Sequence, residues 1–317
     1  MEARDARETV VCNLCEAPSY RIVYAARDVS NVEVNLAERF RSSSDETLNE
    51  QMVECTNCGL QYVNPRLNAN LVLEGYSLGS DEVFVSQAPS REHTFAKSLD
   101  AIERQTNGRR GRILDVGTAG GSFLRVAFQR GWEVEGCEPN RWLCDWAQRH
   151  YGIAVRPGTL FEQAYPSHAF DVVSLWDVLE HTPDPKSLIL ECRRLLKPNG
   201  LLVVNYPDIG SWIARLMGRS WVFLLDVHLY YFTRATLGRL LADAGFTVSV
   251  TRPHYQWLEL GYVLRRARPY VGLPALLAER ASSSVGLHKW RIPYWIGQTL
   301  VIARKSGTSR TILVPSR

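Results

Sequence analysis

Three groups of residues in this sequence have the types and spacing to do chemistry. The first is two cysteine pairs, Cys12-Asn13-Leu14-Cys15 and Cys55-Thr56-Asn57-Cys58. A Cys-x-x-Cys turn sets two thiolates on one side, and two such turns facing each other make a tetrahedral cage for Zn2+. The long gap between them is no obstacle, because loop closure cost grows slowly with length. Four sulfur ligands leave no open position, so Cys12, Cys15, Cys55 and Cys58 are expected to hold a structural ion, not a catalytic one. The second group is Asp115-Val116-Gly117-Thr118-Ala119-Gly120-Gly121, followed by Glu138-Pro139. A small-residue bend lets backbone approach a nucleotide-like ligand, and an acid roughly twenty residues on suits the two hydroxyls of a ribose. The third is His181 and His228, the side-chain type that titrates near neutral pH and can act as a base.

Each histidine has two readings. His181 ends the run Trp176-Asp177-Val178-Leu179-Glu180-His181 and is either a base or substrate orienter, or a support for the next helix. His228 sits among Trp212, Trp221, Phe223, Tyr230 and Tyr231, with Asp226 beside it. So many aromatics with few charges suit a wall for a sugar or apolar acceptor. The other reading is a satisfied core histidine ahead of a helix that starts at Thr233.

Composition sets the frame. The chain has 317 residues, 45% hydrophobic and 22% charged, with a net charge of +4. That is ample for a main core and a smaller module. The mild charge neither demands nor excludes a polyanionic partner, and it gives a nucleic-acid acceptor little support. No run of eighteen uncharged apolar residues occurs, and the N-terminus is charged with no apolar signal core. A cytoplasmic protein is expected, and the seven cysteines then read as metal ligands and buried thiols.

The elements that position these groups follow from periodicity. Strands are expected at Tyr20–Ala25, Gln51–Glu54 and Leu60–Pro65, with a loop at Arg41–Glu46. Helical spacing covers Asn68–Tyr76 and Arg91–Gln105, with the loop Ser77–Asp81 between them. By itself this segment reads as a surface loop and a core-facing helix. Then strands at Ile113–Val116, Trp132–Pro139, Ile153–Val155, Asp171–Leu175, Leu201–Asn205, Phe246–Thr251 and Gln298–Arg304 alternate with helices at Phe123–Arg130, Arg141–Tyr151, Pro185–Leu196 and Arg234–Ala244. Such alternation predicts an α/β, doubly wound sheet, and ligands of such sheets bind beyond the strands' carboxyl ends. The expected division is a zinc-binding module at 1–75, linker and lid helices at 76–110, a main domain at 111–305 with an insert at 257–296, and a disordered tail at 306–317.

The bend fails the dinucleotide pattern G-x-G-x-x-G, since its glycines fall as Gly117-x-x-Gly120-Gly121. It resembles motif I of class I S-adenosylmethionine (SAM)-dependent methyltransferases, D-x-G-x-G-x-G. Asp115, Gly117 and Gly121 match, and Ala119 stands at the middle glycine. "Asp-Val-Leu-Glu-His" at 177–181 resembles motif IV, and "Leu-Lys-Pro-Asn-Gly-Leu-Leu-Val-Val" at 196–204 is a widespread signature of that superfamily. The resemblance implies a seven-stranded sheet of order 3-2-1-4-5-7-6 with strand 7 antiparallel. It implies SAM contacts at Asp115, Gly117, Thr118, Ala119 and Gly121, at Glu138 and Pro139 for the ribose, at Thr159 and Leu160 for the adenine, and at Trp176 for the methionine part. Many relatives carry an acid where Thr159 stands. The resemblance equally implies that the segment around Ser77–Asp81 lies over the cofactor as a lid, with Tyr76 and His93 as candidate cofactor or substrate contacts. Asn205-Tyr206-Pro207 is not the N-P-P-Y box of enzymes that methylate base amines.

The second cysteine pair with Gly59-Leu60-Gln61-Tyr62-Val63-Asn64-Pro65-Arg66 resembles the zinc-binding leader of a group of bacterial methyltransferases. Their substrates include nucleotide-linked sugars and polysaccharide or natural-product intermediates. The implied function is SAM-dependent methylation, by O-methylation, of a small-molecule or sugar-like acceptor in glycan or natural-product biosynthesis, with His228 and His181 as candidate catalytic residues. Two alternatives stand beside it: an RNA methyltransferase with a zinc module, and a non-catalytic partner that kept the fold. The 257–296 insert reads as an acceptor lid, a dimer contact or a foot on a membrane surface. The oligomeric state stays open.

Overall fold

The computed structural model describes residues 6–27 and 47–306; the loop expected at Arg41–Glu46 and the tail after Ser306 lie outside them. The leader contributes β1 (Arg7–Glu8), β2 (Tyr20–Tyr24), β3 (Met52–Cys55), β4 (Gln61–Val63) and β5 (Arg66–Leu67). Three helices follow: α1 (Ala69–Ser77), α2 (Glu82–Ser86) and α3 (Ala88–Gln105). Asn68 and Asp81 cap α1 and α2, each accepting an N–H three residues on, which fixes where the two helices start. The short α2 had no periodic signal, being a single turn and a half of chain. Helix α3 begins at Ala88, earlier than the spacing of its apolar residues suggested, with Pro89 in its first turn.

The main domain runs β6 (Arg112–Val116), α4 (Ser122–Gln129), β7 (Glu133–Glu138), α5 (Arg141–Tyr151), β8 (Arg156–Pro157), β9 (Phe170–Trp176), α6 (Pro185–Leu195) and β10 (Leu196–Pro207). After it come α7 (Trp212–Met217), β11 (Tyr230–Tyr231), α8 (Arg234–Asp243) and β12 (Phe246–Pro253). The insert is β13 (Gln256–Glu259), α9 (Leu260–Val271), α10 (Leu273–Ser284) and β14 (Arg291–Tyr294), and β15 (Gln298–Lys305) closes the sheet. Strand order is β8-β7-β6-β9-β10-β15-β12. β15 is antiparallel to both neighbours, while β10, β9, β6, β7 and β8 are parallel. In order along the chain this is 3-2-1-4-5-7-6, as expected.

Burial explains the arrangement. The central strand β9 is apolar on both faces because helices cover both, one side through Leu188, Ile189 and Cys192 of α6, the other through Leu99 and Ile102 of α3 and Phe123 of α4. The third strand differs from expectation. Ile153 and Val155 are buried against Leu124, Cys144 and Ala147, and only Arg156 and Pro157 pair with β7. Apolar residues there mark packing under α5 and not the ladder itself.

The leader is joined to the main domain by more than a linker. Its four-stranded sheet has the order β11-β4-β3-β2, so its last strand comes from residues 230–231. Buried Arg66 donates to Glu8, to the Tyr230 hydroxyl and to the carbonyl of Pro183. Asn13, inside the first cysteine turn, accepts from Lys186 N–H at 2.9 Å and donates to Asp184, at the start of α6. Asp226 accepts from the backbone of Asn49 and Glu50, so this acid anchors the leader. In the insert, Trp257 N–H donates to Thr94 of α3, and β13 pairs with β14.

Candidate functional site

The bend lies at the carboxyl end of β6. Gly117 has φ +64°, and a Cβ there would meet Val178 Cγ2 at 2.8 Å, so only glycine fits. Ala119 holds φ +48° in the left-handed region, where the missing middle glycine would sit without cost. Its N–H donates to Glu138 Oε2 at 2.9 Å, and Asn140 N–H donates to Oε1 at 2.9 Å. Glu138 therefore reaches from the end of β7 across to the bend. Burial pushes its carboxyl up to about 7, and the two backbone donors pull against that. Asp115, buried at the end of β6, accepts from Ser174 at 2.6 Å and is likewise raised by burial to about 7. Thr118 is buried, and Gly121 opens α4 with φ +76°.

The lid segment touches this bend. Asn140 Nδ2 donates to the carbonyls of Leu78 and Gly79, and its Oδ1 caps α5. A Cβ on Gly120 would meet Trp146 of α5 at 3.0 Å and Val85 of α2 at 3.5 Å. An acid does reach Thr159, from three residues on: Glu162 accepts from both the N–H and the hydroxyl of Thr159, in a capping box beside buried Leu160. Glu162 is a residue the sequence reading passed over, although Thr-x-x-Glu is a capping signal. Pro139 is half-buried next to Asn140.

Trp176 is 9% exposed and packs with Phe95, Phe123 and His254, so its ring belongs to the core under α3 and α4. Asp177, which follows, has φ +54° and accepts from Asn205 and Gln298. Around them a cavity of about 20 Å³ is lined by Arg91, Trp176, Asp177, Asn205 and His254 among others. It is large enough for about one water. His93 packs edge-on against Trp257 at 4.8 Å instead of joining the bend.

Beyond Val178 the chain makes one tight turn, Leu179–His181, and Glu180, His181 and His228 come together. Leu229 N–H donates to Glu180 O at 2.8 Å, which sets the two segments side by side. The imidazoles are 4.6 Å apart, edge to face. His228 Nδ1 meets Phe223 O at 2.8 Å, and His181 Nδ1 meets Val227 O at 3.1 Å and the Tyr76 hydroxyl. A carbonyl oxygen only accepts, so both rings carry their proton on Nδ1 and present a bare Nε2. Burial lowers His181 to about 4 and His228 well below the usual range, keeping both neutral. Tyr76, on the lid side, thus reaches the histidine cluster. Phe223 and Tyr231 flank His228, and Trp221 packs on Phe223; Trp212 stands apart with Trp295.

A methyltransferase-domain family profile matches residues 90–249, half of the chain. The chain belongs to the methyltransferase-domain family. This methyltransferase is 30% identical over 250 residues to a ubiquinone biosynthesis O-methyltransferase of Psychrobacter arcticus, spanning 74% of this chain and 90% of that protein. It is 36% identical over 137 residues to one from Actinobacillus pleuropneumoniae, spanning 39% of this chain and 58% of that protein. In fold it is similar to a putative methyltransferase of Haloferax volcanii solved with a methyltransferase activator, with TM-score 0.50, 14% identity, 72% of this chain and all of that chain covered. Methyl transfer from SAM is accordingly the activity of the family, and this sheet order is the fold of its members.

The methyltransferase's four leader cysteines have sulfurs within 4.8 Å of one another, with Cys12 and Cys58 at 3.4 Å and Cys15 and Cys55 at 3.5 Å. Zn–S bonds of about 2.3 Å in a tetrahedron require sulfurs roughly 3.8 Å apart, so the cage fits a zinc ion. Backbone N–H groups fold each turn: Glu16 onto Cys12 O and Gly59 onto Cys55 O.

Proposed function

We propose that this SAM-dependent methyltransferase methylates a hydroxyl oxygen of a small, sugar-like acceptor, as in glycan or natural-product biosynthesis, and that its leader holds a structural zinc. The observation that carries the reading is the single step from donor pocket to proton-accepting cluster. Val178 lies against the Gly117 bend, and two residues later Glu180 and His181 meet His228. Bound SAM supplies a methyl group on a sulfonium, which departs as a neutral thioether when the acceptor oxygen takes the carbon. Glu138 would accept from the ribose hydroxyls, the backbone of residues 117–121 would line the methionine part, and Thr159, Leu160 and Glu162 would border the adenine. The enzyme's work is then to orient the acceptor and keep water out. The bare Nε2 atoms and the Glu180 carboxylate offer electron pairs to the hydroxyl proton, and Phe223 with Tyr231 provides an apolar flank. Relatives whose printed names are those of O-methyltransferases support oxygen as the acceptor atom. Zinc would tie the two cysteine turns into one cross-link.

The test is a panel of polyols, nucleotide-linked sugars, phenols, amines and a short RNA with methyl-labelled SAM, read by mass spectrometry. Label on a hydroxyl oxygen of a small molecule is expected, and Gly117→Asp is expected to abolish it. Label found only on nitrogen, carbon or RNA overturns the acceptor assignment.

A further inference from the structure

Glu180 poses a problem that the methyl-transfer reading leaves unsolved. Both of its carboxylate oxygens are buried without a hydrogen-bond partner, in a residue that is 2% exposed. A buried carboxylate in that condition costs several kcal/mol unless something compensates it. No cation of the chain pairs with it among the described residues' ion pairs. Burial first, and then the charge of Asp177, push its carboxyl well above the ordinary range. Beside it lie two imidazoles, His181 and His228, each with its Nδ1 on a backbone carbonyl and a lone pair left on Nε2.

We propose that Glu180, His181 and His228 form a binding site for a divalent transition-metal ion, whose remaining coordination positions take oxygens of the acceptor. One donor atom from each residue lies within 4.8 Å of the other two. Ligands about 2.1 Å from an ion stand roughly 3.0 Å apart when adjacent and 4.2 Å when opposite, so small shifts close the set. Two imidazoles and one carboxylate leave positions open and select ions such as Mn2+, Fe2+, Co2+ or Zn2+ over Ca2+ or Mg2+. The carbonyls of Phe223 and Val227 on the Nδ1 atoms provide the outer support that metal-binding histidines have and leave Nε2 as the atom free to ligate. Tyr76 adds a third support from the lid side. The site itself stands on these contacts; its task rests on the reading above. An ion here would take up the Nε2 and carboxylate electron pairs that otherwise accept the hydroxyl proton, and would make the bound hydroxyl acidic enough to lose that proton to water as the oxygen takes the methyl group.

Metal stoichiometry on the full-length chain tests this. After dialysis against Zn2+, elemental analysis is expected to find two ions per wild-type chain and one in Glu180→Gln. Mn2+ binds thiolates poorly, so loss of its free EPR signal reports on this site: one equivalent taken up by wild type, none by Glu180→Gln. A single zinc per wild-type chain with no uptake of Mn2+ overturns the proposal, as does a Glu180→Gln variant that keeps both ions. Should that variant not fold, the wild-type counts decide alone. Methyl transfer that proceeds with only one zinc bound sinks this inference and spares the functional reading. A filled site with no methylated hydroxyl does the reverse.

Discussion

Glu138 shows how one side chain sets a condition on the whole reaction. On the proposed reading it must be charged to accept two ribose hydroxyls, yet burial raises its carboxyl to about 7. Below that pH the free protein carries it protonated, and the ligand must first displace a proton. SAM affinity is therefore expected to strengthen as pH rises through about 7 and to weaken by up to about tenfold per unit below it. Titration calorimetry from pH 5.5 to 8.5 checks the slope. Glu138→Gln should bind weakly at every pH, with the slope gone; a wild type whose affinity does not vary across that range would show that the carboxyl stays ionised throughout. Asp115, raised to the same region, is expected to affect folding more than binding, because its partner is Ser174 in the core.

Among the elements, β11 has the largest reach. Tyr230 pairs with Tyr62 and Tyr231 with Gln61, Val63 N–H donates to Leu229 O, and His228 is the residue before Leu229. Disturbing the cysteine cage should then disturb the histidine cluster. Chelation, or Cys15→Ser, is expected to lower the melting temperature of the whole chain by roughly 5 °C, an effect of about 3 kcal/mol, in one transition. Calorimetry showing two separate transitions, with the second unmoved, would mean the leader unfolds alone. This coupling was not legible in the sequence. Two adjacent tyrosines after an aromatic loop carry no alternation that marks a strand, and the partner strand lies far back in the chain. The main sheet was legible because its central strands are mostly apolar runs ending in a glycine or an acid, such as Ile113–Gly117 and Phe170–Asp177. Of the site, the bend and Glu138 could be read because glycine spacing is a local signal. Glu162 carried a local signal too, the Thr-x-x-Glu cap, but the convergence of Glu180 with His228 did not, since it depends on a fold-back between β10 and α8. Trp176, expected to flank the methionine part of the cofactor, packs on Phe95 and Phe123 and lines the small cavity beside Asp177, a placement that strand position alone does not give.

At the scale of the molecule, the crevice is closed by a segment that touches both halves of the site. Leu78 and Gly79 are held by Asn140 beside Glu138, while Tyr76 reaches His181. Opening for exchange of ligands must break both contacts. Asn140→Ser keeps a cap for α5 and removes the donor to Leu78 and Gly79. It is expected to raise hydrogen exchange across residues 77–87 and to speed SAM dissociation several-fold, with little change in the melting temperature. Unchanged exchange there would show that α2, through Val85, holds the segment by itself. The shared sheet also bears on how such a protein can change over generations. A leader completed by residues 230–231 cannot be exchanged between enzymes as a cassette. A transplant would have to bring the stretch around 225–232 with it, and so bring the histidine at 228 as well. Lineages that acquired the cysteine clamp would thus have inherited part of their acceptor chemistry in the same event.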